Sequence, residues 1–303
     1  MISFEKLSLA DRQKFYDCFN RAGRQSCVYS FANLYLWGMQ RVAEVEGRIS
    51  AFSHFNGHTM YLFPVGPAPL KPAVDALRQD AKERGIPFRL TGLTTADCRE
   101  LESCYPGEFE FRADRNSFEY IYDIDHLADL KGRGYQSKRN HIKRFLEFCP
   151  NWHWESITPE KLKACRGLLD EWFLLRKRES PYTDYCLEKK ALERAISSYE
   201  ELGLEGILLY GQDDPIAMSI GSRLSDHIFD IHFEKAFGTI PGDYTMVNQT
   251  FSSLIRQWHP EICYLNREDD MGIPGLRTAK ESYHPTLLLE QYWCALREEL
   301  DET

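Results

Sequence analysis

The chain has 303 residues, 43% of them apolar and 13% aromatic, enough to bury two cores of roughly 150 residues each. Its formal charge of −9 excludes a protein coated for nonspecific nucleic-acid binding. Runs such as GILLYG and PIAMSIG fall far short of the roughly 20 apolar residues a bilayer span needs.

The N-terminus, MISFEKLSLADRQKF, lacks a basic-then-apolar signal pattern, so a cytoplasmic location is expected. The nine cysteines, none in a C-x-x-C, are expected to be reduced and mainly buried. DRQKFYDCFNRAG reads as a helix, and YSFANLYLWG as an aromatic segment near helical spacing whose default is core packing. Three strand-like runs follow, RVAEVEG, RISAFSHF and HTMYLFPVG. The last two are joined by Asn56-Gly57, which suits a two-residue hairpin turn. His54 and His58 flank that turn, but a zinc site needs a third ligand, so they read as polar hairpin ends and no metal is expected. Next come the helix PAVDALRQDAKERG stopped by Gly85, the strand PFRLTGL, a short helix opening near Thr94 to Asp97, and the strand SFEYIYDI. Together they make an α/β domain over residues 1–125, within the usual domain size.

Residues 126–149 read as a basic, helical bridge assigned to the second domain, 126–303. Leu127, Leu130, Ile142, Phe145 and Leu146 supply a buried stripe, while Lys131, Arg133, Lys138, Arg139, Lys143 and Arg144 occur with no acid in the run 131–144. A solvated helix face explains these charges. A clamp for phosphates, made by Lys138, Arg139, Lys143 and Arg144, is the sharper reading. Gly132-Arg133-Gly134 before the helix favours the clamp, because free amides at a helix start attract anions.

The second half opens with the strand WHWESI and a helix capped by Thr158 with Pro159 at its first position. A second helix, ending at Gly203, leads into a three-strand meander: LEGILLYG, PIAMSIGSRL and HIFDIHFEK. The amphipathic helix GDYTMVNQTFSSLIRQW and the stretch Glu261 to Pro285 follow. Meander, helix and strand recur in both halves, which predicts two similarly built domains.

Three places carry chemistry. In HIFDIHFEK, alternation sets Asp230, His232 and Glu234 on one face, opposite Phe229, Ile231 and Phe233. A solvent-facing strand has the same pattern, but in a central strand such a row is costly unless paired or used, which makes His232 and Glu234 the candidate general bases and Asp230 a binding residue. The loop Phe237 to Gly242 offers backbone amides to an anion, and Asn248, a poor helix former inside a helix, is kept for its amide or lies on the surface. The stretch EICYLNREDDMGIPGLRTAKESYHP runs from a strand into Asn266, Arg267, Glu268, Asp269, Arg277 and Lys280. It is expected to close a site for a polar acyl donor or acceptor, a structural salt-bridge network being the plainer alternative. P-loop, G-x-G-x-x-G, H-E-x-x-H and G-x-S-x-G motifs are absent.

The segments GYQSKRNHIKRF, HFEK, GDYTMVNQ and YLNREDDMGIPGLRTAKESYHP resemble a bacterial family related to the C-terminal domain of phosphatidylglycerol lysyltransferase. The resemblance implies an α/β (α+β) fold of two tandem GNAT-like domains, each a mixed, mostly antiparallel sheet flanked by helices, as in Fem-type aminoacyltransferases with an aminoacyl-tRNA donor. It brings Lys235, Tyr244 and Tyr283 into the substrate-binding set. The implied reaction is aminoacyl transfer from tRNA to an amine or hydroxyl, with Arg277 and Lys280 stabilising charge or contacting phosphate. Acetyl-CoA-using GNAT enzymes usually carry R/Q-x-x-G-x-G/A, and EKAFGTIPGDYT departs from that spacing. Acetyl-CoA-dependent N-acetyl transfer and a noncatalytic small-ligand or RNA-binding module are the alternatives.

Overall fold

The protein is seen as a computed structural model that describes residues 1–38, 40–55, 58–179 and 185–300. The Asn56-Gly57 turn lies outside the described residues. In chain order the first elements are α1 (Arg12–Arg21), α2 (Phe31–Trp37), β1 (Gln40–Val45), β2 (Arg48–Phe55), β3 (His58–Leu62), α3 (Leu70–Arg84), β4 (Arg89–Leu93), α4 (Thr95–Cys104) and β5 (Phe109–Ala113). Then come β6 (Glu119–Asp123), α5 (Ile124–Asp129), α6 (Gln136–Phe148), β7 (Trp152–Ser156), α7 (Leu162–Glu179), α8 (Cys186–Ser197), β8 (Glu205–Gly211), β9 (Asp214–Arg223) and β10 (Ile228–Ala236). The chain ends with α9 (Asp243–Trp258), β11 (Tyr264–Asn266), α10 (Pro274–Glu281), β12 (Leu287–Leu289), β13 (Tyr292–Leu296) and α11 (Arg297–Leu300).

Packing divides the chain into two compact units, one of Met1–Glu119, Asp269–Arg277 and Leu288–Thr303, the other of Tyr120–Glu268 and Thr278–Leu287. This differs from the contiguous division at residue 125/126, because each sheet recruits a strand from far along the chain. In the first unit β13 lies between β4 and β5, antiparallel to both. In the second, β6 pairs antiparallel with β11, so SFEYIYDI does not complete the first domain's sheet. The first sheet has the order β1-β2-β3-β4-β13-β5, and the second the order β12-β6-β11-β10-β9-β8-β7.

The expected echo between halves is present. In each unit an antiparallel meander feeds a helix, and the next strand pairs parallel with the last of the meander, β4 on β3 and β11 on β10. Local signals set several ends: Gly85 closes α3 at φ 67°, and Thr94 and Asp97 form a reciprocal capping box on α4. Thr158 gives no side-chain cap. Its hydroxyl instead donates to Glu160 at 2.6 Å, and Pro159–Lys161 forms a short 3-10 turn before α7.

Two features of the second unit position its chemistry. Strands β10 and β11 pair only over Ile228–Asp230 and Tyr264–Asn266, while β10 continues to Ala236. Beyond Asn266 the backbone of Arg267 and Glu268 bonds to Tyr120. The two parallel strands therefore part company halfway along β10. At the same point β10 carries a bulge: Ile231 pairs with Gly221 and Phe233 with Ile220, leaving His232 as the extra residue. Helix α9 covers one face of β10, with Phe251 edge-on to Phe229 at 6.0 Å.

Candidate active site

The bulge decides which side chains share a face. Asp230 pairs with Ser222 and Glu234 with Ser219, and because β9 is regular between Ser219 and Ser222, these two partners point to opposite faces. Asp230 and His232 stay together, with Nδ1 of His232 3.5 Å from Asp230, while Glu234 joins the α9 face with Phe229 and Ile231. The expected single row of Asp230, His232 and Glu234 is thus split in two, because one inserted residue reverses the alternation beyond it.

On the α9 face, Glu234 is held at both oxygens. Arg267 donates through Nη2 to Oε1 at 2.8 Å, and Asn248 through Nδ2 to Oε2 at 3.0 Å. Asn248, only 2% exposed, is one of the inward residues of α9, so its amide faces the core side of the helix. The guanidinium of Arg267 also lies 5.0 Å from the Tyr283 ring and 5.7 Å from that of Tyr122. Among the described residues, Nη1 of Arg267 and Oδ1 of Asn248 are buried with no hydrogen-bond partner. A donor and an acceptor are left free around one carboxylate, and such groups are costly unless something binds them.

Lys138, expected on the surface as a phosphate contact, points inward instead. Its Nζ donates to Ser282 Oγ at 2.6 Å and sits 3.7 Å from the centre of the Tyr283 ring. Burial and the positive charge of Arg267 lower its pKa to about 8, with Glu234 opposing. Lys280 is buried too, and donates to the Arg267 carbonyl. It braces the backbone that presents Arg267, so a phosphate contact is not its place in this unit. Burial raises the Tyr283 hydroxyl, with the Arg267 charge opposing.

On the other face, His232 uses both ring nitrogens: Nε2 meets Ser222 Oγ at 2.8 Å, and Nδ1 meets Glu268 Oε1 at 3.2 Å. Asn266 is fully buried and accepts from the Glu268 amide at 2.7 Å. Lys235 pairs with Glu188 and lies over Trp172 at 4.0 Å, and the Tyr244 hydroxyl accepts from Trp172 Nε1 at 3.4 Å. These last contacts make Lys235 and Tyr244 part of a packed aromatic cluster.

The rest of the predicted set is dispersed. Asp269 and Arg277 belong to the first unit, where Arg277 grips Asp270 through Nε and Nη2 at 2.8 and 2.9 Å and donates to Asn116. This is the salt-bridge network the sequence left open as the plainer reading. Arg139 donates to the Leu130 and Gly132 carbonyls and to Gln136, which ties down the turn before α6. Lys143 and Arg144 remain exposed. The loop before α9, expected to offer amides to an anion, is closed by the protein's own carboxylate: Asp243 accepts from the Gly238 and Tyr244 amides at 2.7 Å each. Burial raises the pKa of Asp243, opposed by those amides.

Tyr122 and Ser222 were not anticipated. Lys138 was anticipated in the wrong direction, although its spacing held the signal: Tyr135, Lys138 and Phe145 fall on one helical stripe. Among the described residues, no helix is long and apolar enough to cross a membrane.

Comparison with known proteins agrees with this architecture. A conserved protein of unknown function from Bacteroides thetaiotaomicron is 33% identical, with a TM-score of 0.92 over 98% of this chain and 100% of that one. L-PGS from Bacillus licheniformis superposes with a TM-score of 0.68 at 14% identity over 98% of this chain and 94% of that one, and FemX with 0.61 at 10% over 99% of each. At these identities the last two show a shared fold. An uncharacterized protein of Mycoplasmoides gallisepticum is 25% identical over 205 residues, 66% of this chain and 62% of that protein's length. The family profile described as phosphatidylglycerol lysyltransferase, C-terminal, matches residues 19–295, and the chain belongs to that family.

Proposed function

We propose that the second unit transfers an aminoacyl group from aminoacyl-tRNA to an amine or hydroxyl acceptor, at the cluster of Lys138, Glu234, Asn248, Arg267 and Tyr283. The observation that carries this reading is the free donor on Arg267 and the free acceptor on Asn248, set on either side of Glu234 where β10 and β11 separate. An aminoacyl ester brings what they lack, a carbonyl oxygen for the guanidinium and an α-amino group for the amide and carboxylate.

The chemistry then divides among these residues. The acceptor's nucleophilic atom attacks the ester carbonyl, and its proton passes to Lys138, which a pKa of about 8 leaves partly neutral near physiological pH. Negative charge developing on the carbonyl oxygen falls to Arg267 Nη1. As the carbon–oxygen bond to the tRNA ribose breaks, Lys138 returns the proton to the departing hydroxyl. Glu234 aims Arg267 and Asn248. His232, whose two nitrogens are already engaged, takes no proton in this scheme.

Asp243 favours this donor over acetyl-CoA. A carboxylate that occupies the amides of the loop before α9 repels a pyrophosphate at the place where acetyl-CoA enzymes of this fold hold theirs. The family's lysyltransferase name is consistent with aminoacyl transfer. The test is a thermal-protection screen of the purified protein against charged tRNAs, uncharged tRNA and acyl-CoAs, since a ligand that binds only the folded state raises Tm. Protection by a charged tRNA supports the reading, and protection by an acyl-CoA alone overturns it.

A further inference from the structure

We propose that Asp230, His232 and Glu268 form a binding site for one first-row divalent cation of the zinc or manganese type. The fold brings these residues together from two strands. His232 is the bulged residue of β10, Asp230 lies two residues before it, and Glu268 follows the end of β11. One ligand atom from each lies within 4.8 Å of the others.

The imidazole is oriented as metal-binding histidines usually are. Nε2 of His232 lies 2.8 Å from Ser222 Oγ, and Nδ1 faces both carboxylates, Glu268 Oε1 at 3.2 Å and Asp230 Oδ2 at 3.5 Å. In the tautomer that carries its proton on Nε2, Nδ1 is the metal-binding atom. A hydrogen bond that fixes the ring and its tautomer from behind is the recurrent support of such ligands. Ligands held at about 2.1 Å from zinc in tetrahedral geometry lie about 3.4 Å from one another, so both separations match edges of a coordination shell.

Charge points the same way. Asp230 is fully buried and the Glu268 side chain is 17% exposed. Two carboxylate oxygens and one imidazole nitrogen converge here, a donor set that suits a divalent cation. One nitrogen and two oxygens suit zinc or manganese better than copper(I), which prefers sulfur. The partial exposure of Glu268 leaves a side for entry and for a water ligand. Once bound, the ion ties the exit of β11 to β10 and holds the residue next to Arg267. This inference does not depend on the acyl-transfer reading.

The test uses the full-length protein stripped with EDTA and titrated with Zn²⁺, then separately with Mn²⁺, by calorimetry, with bound metal counted by mass spectrometry. The expected result is one ion per chain and a Tm that climbs with ion concentration. Affinity should fall at least about 10-fold in Asp230→Asn and in Glu268→Gln, and stay unchanged in the surface control Glu160→Gln. X-ray absorption of the zinc-loaded wild type should show nitrogen and oxygen neighbours, a readout that needs no variant to fold. Absence of saturable binding by the wild type, undiminished affinity in both folded variants, or sulfur neighbours would each overturn the proposal.

Discussion

Arg267 reaches Glu234 across the opening between β10 and β11, Nη2 to Oε1 at 2.8 Å, with both side chains nearly buried at 12% and 11% exposure. The pair is the hinge of the candidate site. Arg267→Ala leaves a nearly buried carboxylate without its cation, and such breakage typically costs about 3 kcal/mol or more. Glu234→Gln keeps an acceptor for Arg267 and should cost less than half as much. Urea unfolding of the two variants, compared by midpoint at constant slope, checks the order.

Lys138 gives a dependence on pH. Its pKa is about 8 in the folded protein against 10.5 for the ordinary side chain, so between these values the unfolded chain binds the extra proton. Stability therefore gains with rising pH across that window, and the penalty of burying the charge is complete below it. Lys138→Met should stabilise the protein at pH 7 by about 1–3 kcal/mol, and the advantage should shrink toward zero by pH 10. Unfolding midpoints at the two pH values test this. Transfer activity should rise with pH up to about 8 in the wild type and be lost in the always-charged Lys138→Arg.

Gly221 faces the bulge, paired with Ile231. A Cβ there would lie 2.2 Å from the Asp230 carbonyl oxygen and 2.5 Å from the Phe229 ring, both fixed groups in a central strand. Gly221→Ala should destabilise by about 3 kcal/mol, the upper part of the usual range for overpacking. A thermal melt that matches the wild type would show that β9 and β10 yield more easily than their packing implies.

The basic run divides between fold and surface. Arg139→Ala should lower Tm, since its guanidinium bonds the Leu130 and Gly132 carbonyls, without a specific effect on RNA. Lys143→Ala and Arg144→Ala should leave Tm alone and weaken tRNA binding, each reducing the slope of log affinity against log salt by about 1 if it meets a phosphate. Filter binding over a salt series separates the two behaviours.

Much of the fold was legible because local signals agreed with it. The Gly85 stop, the Thr94–Asp97 box and the period-2 strands all appear where the sequence placed them. What was not legible depends on long-range pairing. Nothing local says that YWCAL near the C-terminus inserts between β4 and β5, or that EYIYD joins the second sheet. The site was half visible for a similar reason. Glu234, Asn248 and Arg267 were each singled out and the structure brings them into contact, but the bulge at His232 moved Glu234 away from the face shared by Asp230 and His232, and a bulge leaves no mark in a run of alternating residues. Arg277 and Lys280 carried the right charge, yet each is consumed by the fold, by Asp270 and by the Arg267 carbonyl.

The central claim is that the Lys138–Glu234–Asn248–Arg267 cluster recognises an aminoacyl ester. The most direct measurement compares the affinity of the wild type and of Asn248→Ala for tRNA carrying a stable, amide-linked amino acid against the same tRNA uncharged, across the standard amino acids. The account predicts that for at least one amino acid the charged form binds the wild type about 10-fold tighter or more, which is about 1.4 kcal/mol, and that Asn248→Ala erases the difference. Equal affinity for charged and uncharged tRNA with every amino acid would contradict it.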